Sequence, residues 1–342
     1  MMSTRGSQHK GPQDPGIFKP ARLARGFVIL WIAFLYLNSC EVAKAQQDQP
    51  GIAAFRIAFS GTMFTNVNES DARAAVKVWA QTVAKEQGIK TDPDPSIITG
   101  TPAISQALKS NLVDAVGMTT GEYALLSHEL KLAPIFVTYV SGRIDAQYIL
   151  LVHRDSGIET IDDLKGRSLG LYQNPRASLA PIWLDTVLFQ KGFRPKAAFF
   201  GQVAHNNKLP HVILPVFFRQ RDACLVTRSG FETMNELNPQ IGKQLKIMAS
   251  SPELVPAVFC FRADYSPPFK AKLFSGISEL HTTPAGQQVL TIFNSERIEA
   301  FPPSILQNSL DLIETHRRLS TSSKDAATIQ KSPLRTAKQN GG

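Results

Sequence analysis

The sequence predicts a two-lobed α/β protein in which each lobe holds a mixed, mostly parallel β-sheet flanked by helices. Apolar runs of strand length alternate with runs of helical period from about residue 54, and the alternation starts again near residue 161. Such alternation places helices on both faces of a sheet. Two α/β units followed by a return of the chain predict two lobes joined by two crossings, near residues 146–153 and 254–262.

The first unit has the order β-α-β-α-β-α-β-β. Residues 54–59 form an apolar strand, and the helix after them has apolar residues at helical spacing until Gly88 ends it. A strand at 96–99 leads to Thr101 and Pro102, which fit the N-cap and first turn of a short helix. The strands that complete the unit are predicted at residues 112–118, 132–140 and 147–152.

The second unit repeats this alternation without repeating the sequence. Its strands are predicted at residues 168–172, 198–200, 222–227 and 246–249. Its helices are predicted at residues 178–192, 208–220 and 231–237. The chain then returns to the first lobe through a β-like run and two amphipathic helices, at residues 255–261, 269–278 and 285–293.

These elements predict the domain organisation. We assign residues 53–148 together with 258–316 to lobe 1, and residues 149–257 to lobe 2. The tail 317–342 is rich in Ser, Thr and Lys, so we expect it to be disordered and basic. Residues 46–52 form a polar linker that follows the amino-terminal segment.

The amino terminus has the organisation of an export signal. A polar, basic segment over residues 1–25 precedes the apolar run 26–37, and Ala43-Lys44-Ala45 offers an A-x-A cleavage site. The run is shorter than the roughly 20 residues of a membrane span. Leu37-Asn38-Ser39-Cys40 also resembles a lipobox, and an uncleaved anchor is a third alternative. All three place the protein outside the cytoplasm, in the periplasm, and any attachment to the membrane is only through the signal or a lipid on Cys40.

The charge distribution argues against nucleic-acid binding. The net charge of the chain is +9. Residues 1–25 carry +4 and residues 317–342 carry +5, which leaves residues 46–316 neutral. A nucleic-acid surface requires a basic stripe on the globular part, and the sequence has none there.

The residues typical of catalytic sites are missing from the sequence. There is no G-x-S-x-G motif and no histidine pair at metal-binding spacing, and the seven histidines are scattered. Cys224 and Cys260 are predicted to be two buried thiols, although an oxidising compartment would permit a disulfide between them. We therefore expect no enzyme, no cofactor and no bound metal.

Segments rich in Ser, Thr and Gly follow four of the predicted strands and begin helices, at residues 60–64, 99–101, 119–123 and 174–178. Backbone N–H groups at helix starts favour anions, although ordinary capping is the alternative for each segment. Arg143 and Arg176 add guanidinium groups that suit an oxyanion, or lie exposed in solvent. We predict ligand contacts from Ser60, Gly61, Thr62, Phe64, Thr101, Thr119, Thr120, Tyr123, Arg143, Arg176, Ser178, His205, Asn206 and Lys208.

The order of these segments resembles the substrate-binding proteins of phosphate, phosphite and phosphonate ABC transporters, which are PhnD-like type II periplasmic binding proteins. The resemblance covers roughly residues 53–300. The motifs that carry it are Leu112–Gly117 followed by Tyr123, residues 156–166, Asn174-Pro175 before a capped helix, and residues 216–223 ending in Asp222-Ala223.

The resemblance implies a Venus-flytrap fold, with a small anionic solute held between the lobes and an ABC permease as partner. The phosphonate binders of the family place a Ser/Thr-rich run at the start of a second-lobe helix. Here the matching run keeps Ser178 and inserts Arg176, so we expect an anion without committing to phosphonate. The alternatives are a sensory subunit that acts on a membrane signalling protein, and an enzyme on the same scaffold. We expect a monomer.

Overall fold

The structure is a computed structural model, and it describes residues 54–331 except Asn66 and Pro93. For Glu86 and residues 323–331 it describes the backbone only. The predicted signal segment, its lipobox cysteine Cys40 and the linker therefore lie outside the described residues, as does the end of the predicted tail.

Strands and helices alternate along most of the described chain. The first part comprises β1 (Ile57–Ser60), α1 (Glu69–Gln87), β2 (Ser96–Ile98), α2 (Thr101–Lys109), β3 (Ala115–Thr119), α3 (Thr120–Leu126) and β4 (Leu132–Tyr139). The second part comprises β5 (Tyr148–His153), β6 (Ser168–Tyr172), α4 (Ala180–Gln190), α5 (Lys196–Phe199), β7 (Gln202–Asn206), α6 (Leu209–Phe217), β8 (Ala223–Thr227), α7 (Arg228–Leu237), α8 (Pro239–Gln244) and β9 (Leu245–Ser250). The last part comprises β10 (Ala257–Arg262), α9 (Lys270–Ser278), α10 (Pro284–Ile292), β11 (Arg297–Phe301) and α11 (Gln307–Lys331).

These strands form two separate sheets. The sheet of lobe 1 has the order β11-β4-β10-β3-β1-β2, and the sheet of lobe 2 has the order β7-β6-β8-β5-β9. Strands β10 and β11 run opposite to the rest of the first sheet, and β5 runs opposite to the rest of the second. The prediction of two lobes, each with a mixed sheet and flanking helices, is confirmed. Most strands of each sheet run in one direction, although only four of the nine pairs of neighbouring strands among the described residues are parallel.

Two crossings connect the lobes. The first lies between β4 and β5, and the second lies between β9 and β10, slightly earlier in the chain than the sequence predicts. They run side by side, since the N–H of Ala146 donates to the carbonyl of Leu254 at 2.8 Å and the N–H of Leu254 donates back at 3.0 Å. Both residues are buried, so the two crossings form one paired connection rather than two independent linkers.

Helix α11 adds a third connection. Leu306 and Leu310 pack against the core of lobe 1, whereas Leu312 and Ile313 pack against the core of lobe 2. The Ser309 hydroxyl accepts from the N–H of Val255 at 2.9 Å and donates to its carbonyl at 3.1 Å. The prediction of disorder from residue 317 is therefore wrong through Lys331, because the apolar residues that anchor this helix precede the polar segment that continues it.

Local sequence explains the ends of the longest lobe-1 helix. Asn68 caps α1 by accepting from the N–H of Asp71, and Gly88 ends it in the left-handed conformation at φ 63°. The prediction that Gly88 ends this helix is confirmed.

The two cysteines lie in different lobes. Cys224 is in β8 and Cys260 is in β10, and both are free and buried. Burial raises the pKa of both thiols, because a thiolate would lose its hydration. The sequence left either two buried thiols or a disulfide between them, and the structure has the buried thiols.

Candidate functional site

A cavity of about 600 Å³ lies between the two lobes. Lobe 1 contributes the ends of β1, β3, β4 and β10 and the loop after α10, and lobe 2 contributes the loop after β6 and the start of α7. A second cavity of about 310 Å³ adjoins it. Both are lined by Thr65, Tyr172, Asn174 and Pro175, so we treat them as the larger and smaller parts of one cleft.

Aromatic rings form the lobe-1 side of the larger cavity. We call this surface the aromatic wall, and its members are Phe59, Phe64, Trp79, Phe259 and Phe293. The rings of Phe59 and Phe293 are stacked, with centroids 5.6 Å apart. The remaining neighbours within the wall have centroids 5.0 to 6.2 Å apart. This contact network holds the wall in one arrangement.

Gly117 is required for the aromatic wall. A Cβ at this position of β3 would lie 2.4 Å from the ring of Phe59. Phe59 lies on the neighbouring strand β1, directly across from Gly117 in the sheet. The absent side chain therefore leaves the space that the Phe59 ring occupies.

Arg176 is the cationic group of the cleft. It lies in a 3-10 turn, Pro175–Ala177, that follows β6. The Asn174 side chain accepts from the N–H of Arg176 at 2.9 Å, and the buried Tyr148 hydroxyl donates to the Arg176 carbonyl at 3.1 Å. Its guanidinium Nη2 donates to the carbonyl of Asp145 at 2.6 Å. These contacts fix both the backbone and the side chain of Arg176.

The charge of Arg176 is only partly offset by the protein, through the more distant carboxylates of Asp145 and Glu296. Throughout the described part of the chain, no carboxylate lies within ion-pair distance of its guanidinium. Burial lowers the pKa of Arg176 from its ordinary value, because the charged form loses water. A partly desolvated cation that faces a cavity stabilises an anion placed beside it.

The start of helix α7 lies on the same side of the cleft. Thr227 caps the helix by accepting from the N–H of Gly230 at 3.2 Å. Thr227, Ser229, Gly230 and Thr233 all line the larger cavity. The lobe-2 side of the cleft is therefore polar, with hydroxyl groups and a helix start near a guanidinium.

Glu122 lies at the start of α3, the lobe-1 helix whose start corresponds to that of α7. Its carboxylate accepts from the hydroxyls of Ser60 at 2.5 Å, Thr62 at 2.8 Å and Thr119 at 2.8 Å. It also accepts from the N–H of Thr119 at 2.9 Å, which completes a capping box for α3. Three of the hydroxyls that the sequence marked as anion ligands in this lobe, those of Ser60, Thr62 and Thr119, therefore already bind a carboxylate of the protein.

The predicted site residues divide into two groups. Those that line one of the two cavities are Thr62, Phe64, Thr119, Arg176, Ser178 and His205. Those that do not line either cavity are Ser60, Gly61, Thr101, Thr120, Tyr123, Arg143, Asn206 and Lys208. The structure thus brings the loops of both lobes to one cleft, but fewer than half of the predicted side chains face it.

The second group has structural partners. Thr120 donates to the carbonyl of Val255 at 2.6 Å, and Tyr123 packs in the lobe-1 core. Arg143 is exposed and forms ion pairs with Asp145 and Glu253. These three side chains are therefore engaged by the protein or by solvent: Thr120 by a hydrogen bond, Tyr123 by core packing and Arg143 by exposed ion pairs.

Apart from Phe64, the members of the aromatic wall were not identified from the sequence, and neither was the start of α7. The wall is formed by β1, α1, β10 and the loop after α10, which are distant in the chain. Alternating aromatic residues in the strands gave no indication that a cavity, rather than the core, lies next to them. For α7 a signal did exist, because Thr227 ends a predicted strand, and Ser229 and Gly230 precede the helix predicted from residue 231, much as in the four selected segments.

The described residues, 54–331 except Asn66 and Pro93, contain neither a metal-ligating cluster nor a membrane-spanning helix. Among the described residues, no group of three or more His, Cys, Asp or Glu side chains is placed to hold a metal ion. No described helix combines the length and the apolar character that crossing a membrane requires.

The two sheets, the paired crossings and the interlobe cleft define the fold of two-lobed solute-binding proteins. A family model described as the periplasmic substrate-binding protein of phosphonate ABC transporters matches residues 62–304. The chain belongs to this family, which places it outside the cytoplasm as the solute-binding component of a transporter. A comparison with curated protein sequences gave no match.

Solved structures agree with this fold. XAC2383 from Xanthomonas citri, bound to ATP, is 17% identical over 79% of this chain and 99% of its own, with a TM-score of 0.58. The binding-protein component PA3383 of a Pseudomonas aeruginosa phosphonate transporter is 16% identical over 83% and 94%, with a TM-score of 0.55. PhnD1 from Prochlorococcus marinus, in complex with methylphosphonate, is 16% identical over 78% and 98%, with a TM-score of 0.52.

Proposed function

We propose that this protein captures a small anionic solute in the cleft between its lobes and delivers it to an ABC permease. Membership of the phosphonate-binding family supports the transport role. Two proteins of the same fold carry phosphorus-containing anions, methylphosphonate in one and ATP in the other. The solute of this chain is proposed to be an organic or inorganic oxyanion.

The observation that carries the proposal is the unpaired guanidinium of Arg176. It faces the larger cavity, its position is fixed by Asn174, Tyr148 and Asp145, and it has no carboxylate partner among the described residues. A partly buried cation without an ion-pair partner is stabilised by a ligand that supplies the opposite charge. The hydroxyls at the start of α7 are suited to the remaining oxygens of the anion.

Isothermal titration calorimetry tests this proposal. The full chain is titrated with phosphate, sulfate, and the phosphonate, sulfonate and carboxylate forms of a methyl and a phenyl compound. We expect at least one of them to bind, and Arg176→Gln to weaken it by about 1.5–3 kcal/mol, since it removes a charge-assisted hydrogen bond.

Arg143→Gln is the matched control, because Arg143 is an exposed arginine of the nearby crossing that does not line the cleft. Its replacement should leave affinity unchanged. Equal loss in both variants would show that overall charge, rather than Arg176, attracts the anion. No binding by any of the anions would overturn the proposed function.

The cellular form is a separate part of the proposal. Residues 1–45 are proposed to direct export, with cleavage before Gln46, acylation of Cys40 or an uncleaved anchor as the three alternatives. The mature protein is proposed to be a monomer without catalytic activity or cofactor. The intact mass of the protein purified from membrane and periplasmic fractions distinguishes a chain that begins at Gln46 from one that carries lipid on Cys40.

A further inference from the structure

We propose that the solute is an organic anion with a bulky apolar or aromatic body, held with its charged group at Arg176 and its body against the aromatic wall. This inference rests on the proposed function and specifies the class of solute. It follows from two features of the cleft: the cation and the aromatic wall lie on opposite lobes, and the cavity is large.

The aromatic wall provides a surface that water does not solvate well. Phe64 and Phe293 are half-buried with their rings open to the cavity, while Phe59, Trp79 and Phe259 support them from behind. Val67 and Ile292 extend the apolar surface toward the mouth, and both are about half exposed, at 49%. An apolar body that covers this surface removes it from water, which is the main source of affinity in such pockets.

Glu122 keeps the charged group of the solute away from lobe 1. Three hydroxyls of this lobe that were predicted to bind an oxyanion, those of Ser60, Thr62 and Thr119, donate to the Glu122 carboxylate instead. An anion placed there would meet a like charge and would find the hydroxyl donors already engaged. The charged end of the solute is therefore directed to lobe 2, where Arg176 lies.

A bare oxyanion would fill only a small part of the cleft. The larger cavity of about 600 Å³ lies in the range of roughly 300–1,000 Å³ that holds drug-sized ligands. A phosphate or a methylphosphonate at Arg176 would leave the aromatic wall in contact with trapped water. A phenyl or branched alkyl group attached to the same anion would fill that space.

The experiment compares pairs of anions that share a head group and differ in the body. Methyl and phenyl forms of phosphonate, sulfonate and carboxylate are titrated into the full chain by calorimetry. Because burial of each methylene increases affinity about fourfold, we expect the phenyl form of the preferred head group to bind at least tenfold more tightly than the methyl form.

A variant of the aromatic wall identifies the contact. Phe64→Ala should lower the affinity for the phenyl compound about tenfold and change the affinity for the methyl compound less than twofold. Phe218→Ala is the control, since Phe218 is 60% exposed in lobe 2 and does not line the cleft. It should leave both affinities unchanged.

The outcomes separate this inference from the proposed function. If a methyl compound binds as tightly as its phenyl counterpart, the inference is overturned and the proposed function stands. If no member of any pair binds, nor phosphate or sulfate, the proposed function itself fails. The comparison of ligands on the unaltered protein decides the inference even where Phe64→Ala does not fold.

Discussion

Among single residues, Gly117 has the sharpest steric requirement in the cleft. The ring of Phe59 lies where its Cβ would be, at 2.4 Å, and that ring supports the rest of the aromatic wall. The ring cannot retreat freely, since it also contacts Trp79 and Phe259. One glycine on a central strand therefore determines the shape of the cavity.

We expect Gly117→Ala to destabilise the protein by about 1–3 kcal/mol, the usual cost of overpacking a core. The displaced Phe59 ring should also narrow the cavity and weaken ligand binding. Urea denaturation and calorimetry measure the two effects. Gly121→Ala is the control, because the nearest heavy atom to a Cβ there is 3.9 Å away, and it should not destabilise the protein.

The residue scale also separates the predicted ligand contacts that face the cleft from those that do not. Arg143 and Arg176 look alike in the sequence, yet one is exposed and ion-paired whereas the other lines the cavity unpaired. Their difference depends on Asp145, Glu253 and the carbonyl groups near them. Sequence identifies the residue types that can bind an anion, and the neighbours of each side chain decide whether it is available.

Among the elements, helix α11 has a role that its sequence conceals. Leu310 of the helix and Leu306 of the 3-10 turn before it pack against lobe 1, and Leu312 and Ile313 of the helix pack against lobe 2. Farther along the helix, His316 contacts the ring of Phe189 on α4, with ring centroids 5.7 Å apart. The helix thus connects both lobes on the side of the crossings.

Burial lowers the pKa of His316 from its ordinary value of 6.5, and Lys196 lowers it further, while Asp185 opposes the shift. The folded state therefore binds fewer protons than the unfolded state below pH 6.5, so stability falls as the pH decreases through this range. We expect a lower urea midpoint at pH 5.5 than at pH 7.5.

His316→Gln tests this assignment by removing the titrating group, and it should reduce the difference between the two midpoints. His281→Gln is the matched control, because His281 is an exposed histidine in a turn of lobe 1. A pH dependence that persists in His316→Gln and disappears in His281→Gln would contradict the assignment.

The starts of two short helices, α3 and α7, show that a helix start alone does not identify an anion site. Thr119 and Thr227 both cap helices that follow central strands. The first of these helix starts is closed by Glu122, whereas Thr227, Ser229 and Gly230 line the larger cavity. Both helices begin with a threonine cap. Because Glu122 follows Thr119 by three residues, whereas a glycine occupies this position after Thr227, only the lobe-2 helix start can accept the anion.

In the whole molecule, the cleft depends on how the two lobes are connected. The crossings are paired through Ala146 and Leu254, and Ser178 of lobe 2 donates to the carbonyl of Pro256 at 2.9 Å. The bend between the lobes is therefore confined to a short region. Proteins of this architecture close around their ligands by hinge motion at such connections.

We expect the radius of gyration in solution to decrease when a binding anion is added, because closure brings the lobes together. Small-angle X-ray scattering with and without saturating ligand measures this change. Arg176→Gln at the same ligand concentration serves as the unliganded control. A radius that stays constant while calorimetry reports saturation would show that ligand binds without closure.

The sequence by itself determined the alternation of strands and helices, the two lobes and the two crossings. These follow from hydrophobic periodicity and from capping residues, which act over a few positions along the chain. The end of the chain was misjudged, because the polar segment after residue 317 continues a helix whose anchors lie before it.

Only the tertiary structure decided which polar groups remain free and what surface faces them. The aromatic wall joins residues from Phe59 to Phe293, and Glu122 engages hydroxyls that lie about sixty residues away. Contacts between distant segments leave no periodic pattern in a single sequence. Packing across the cleft therefore set the chemistry of the site, while local patterning set the framework that holds it.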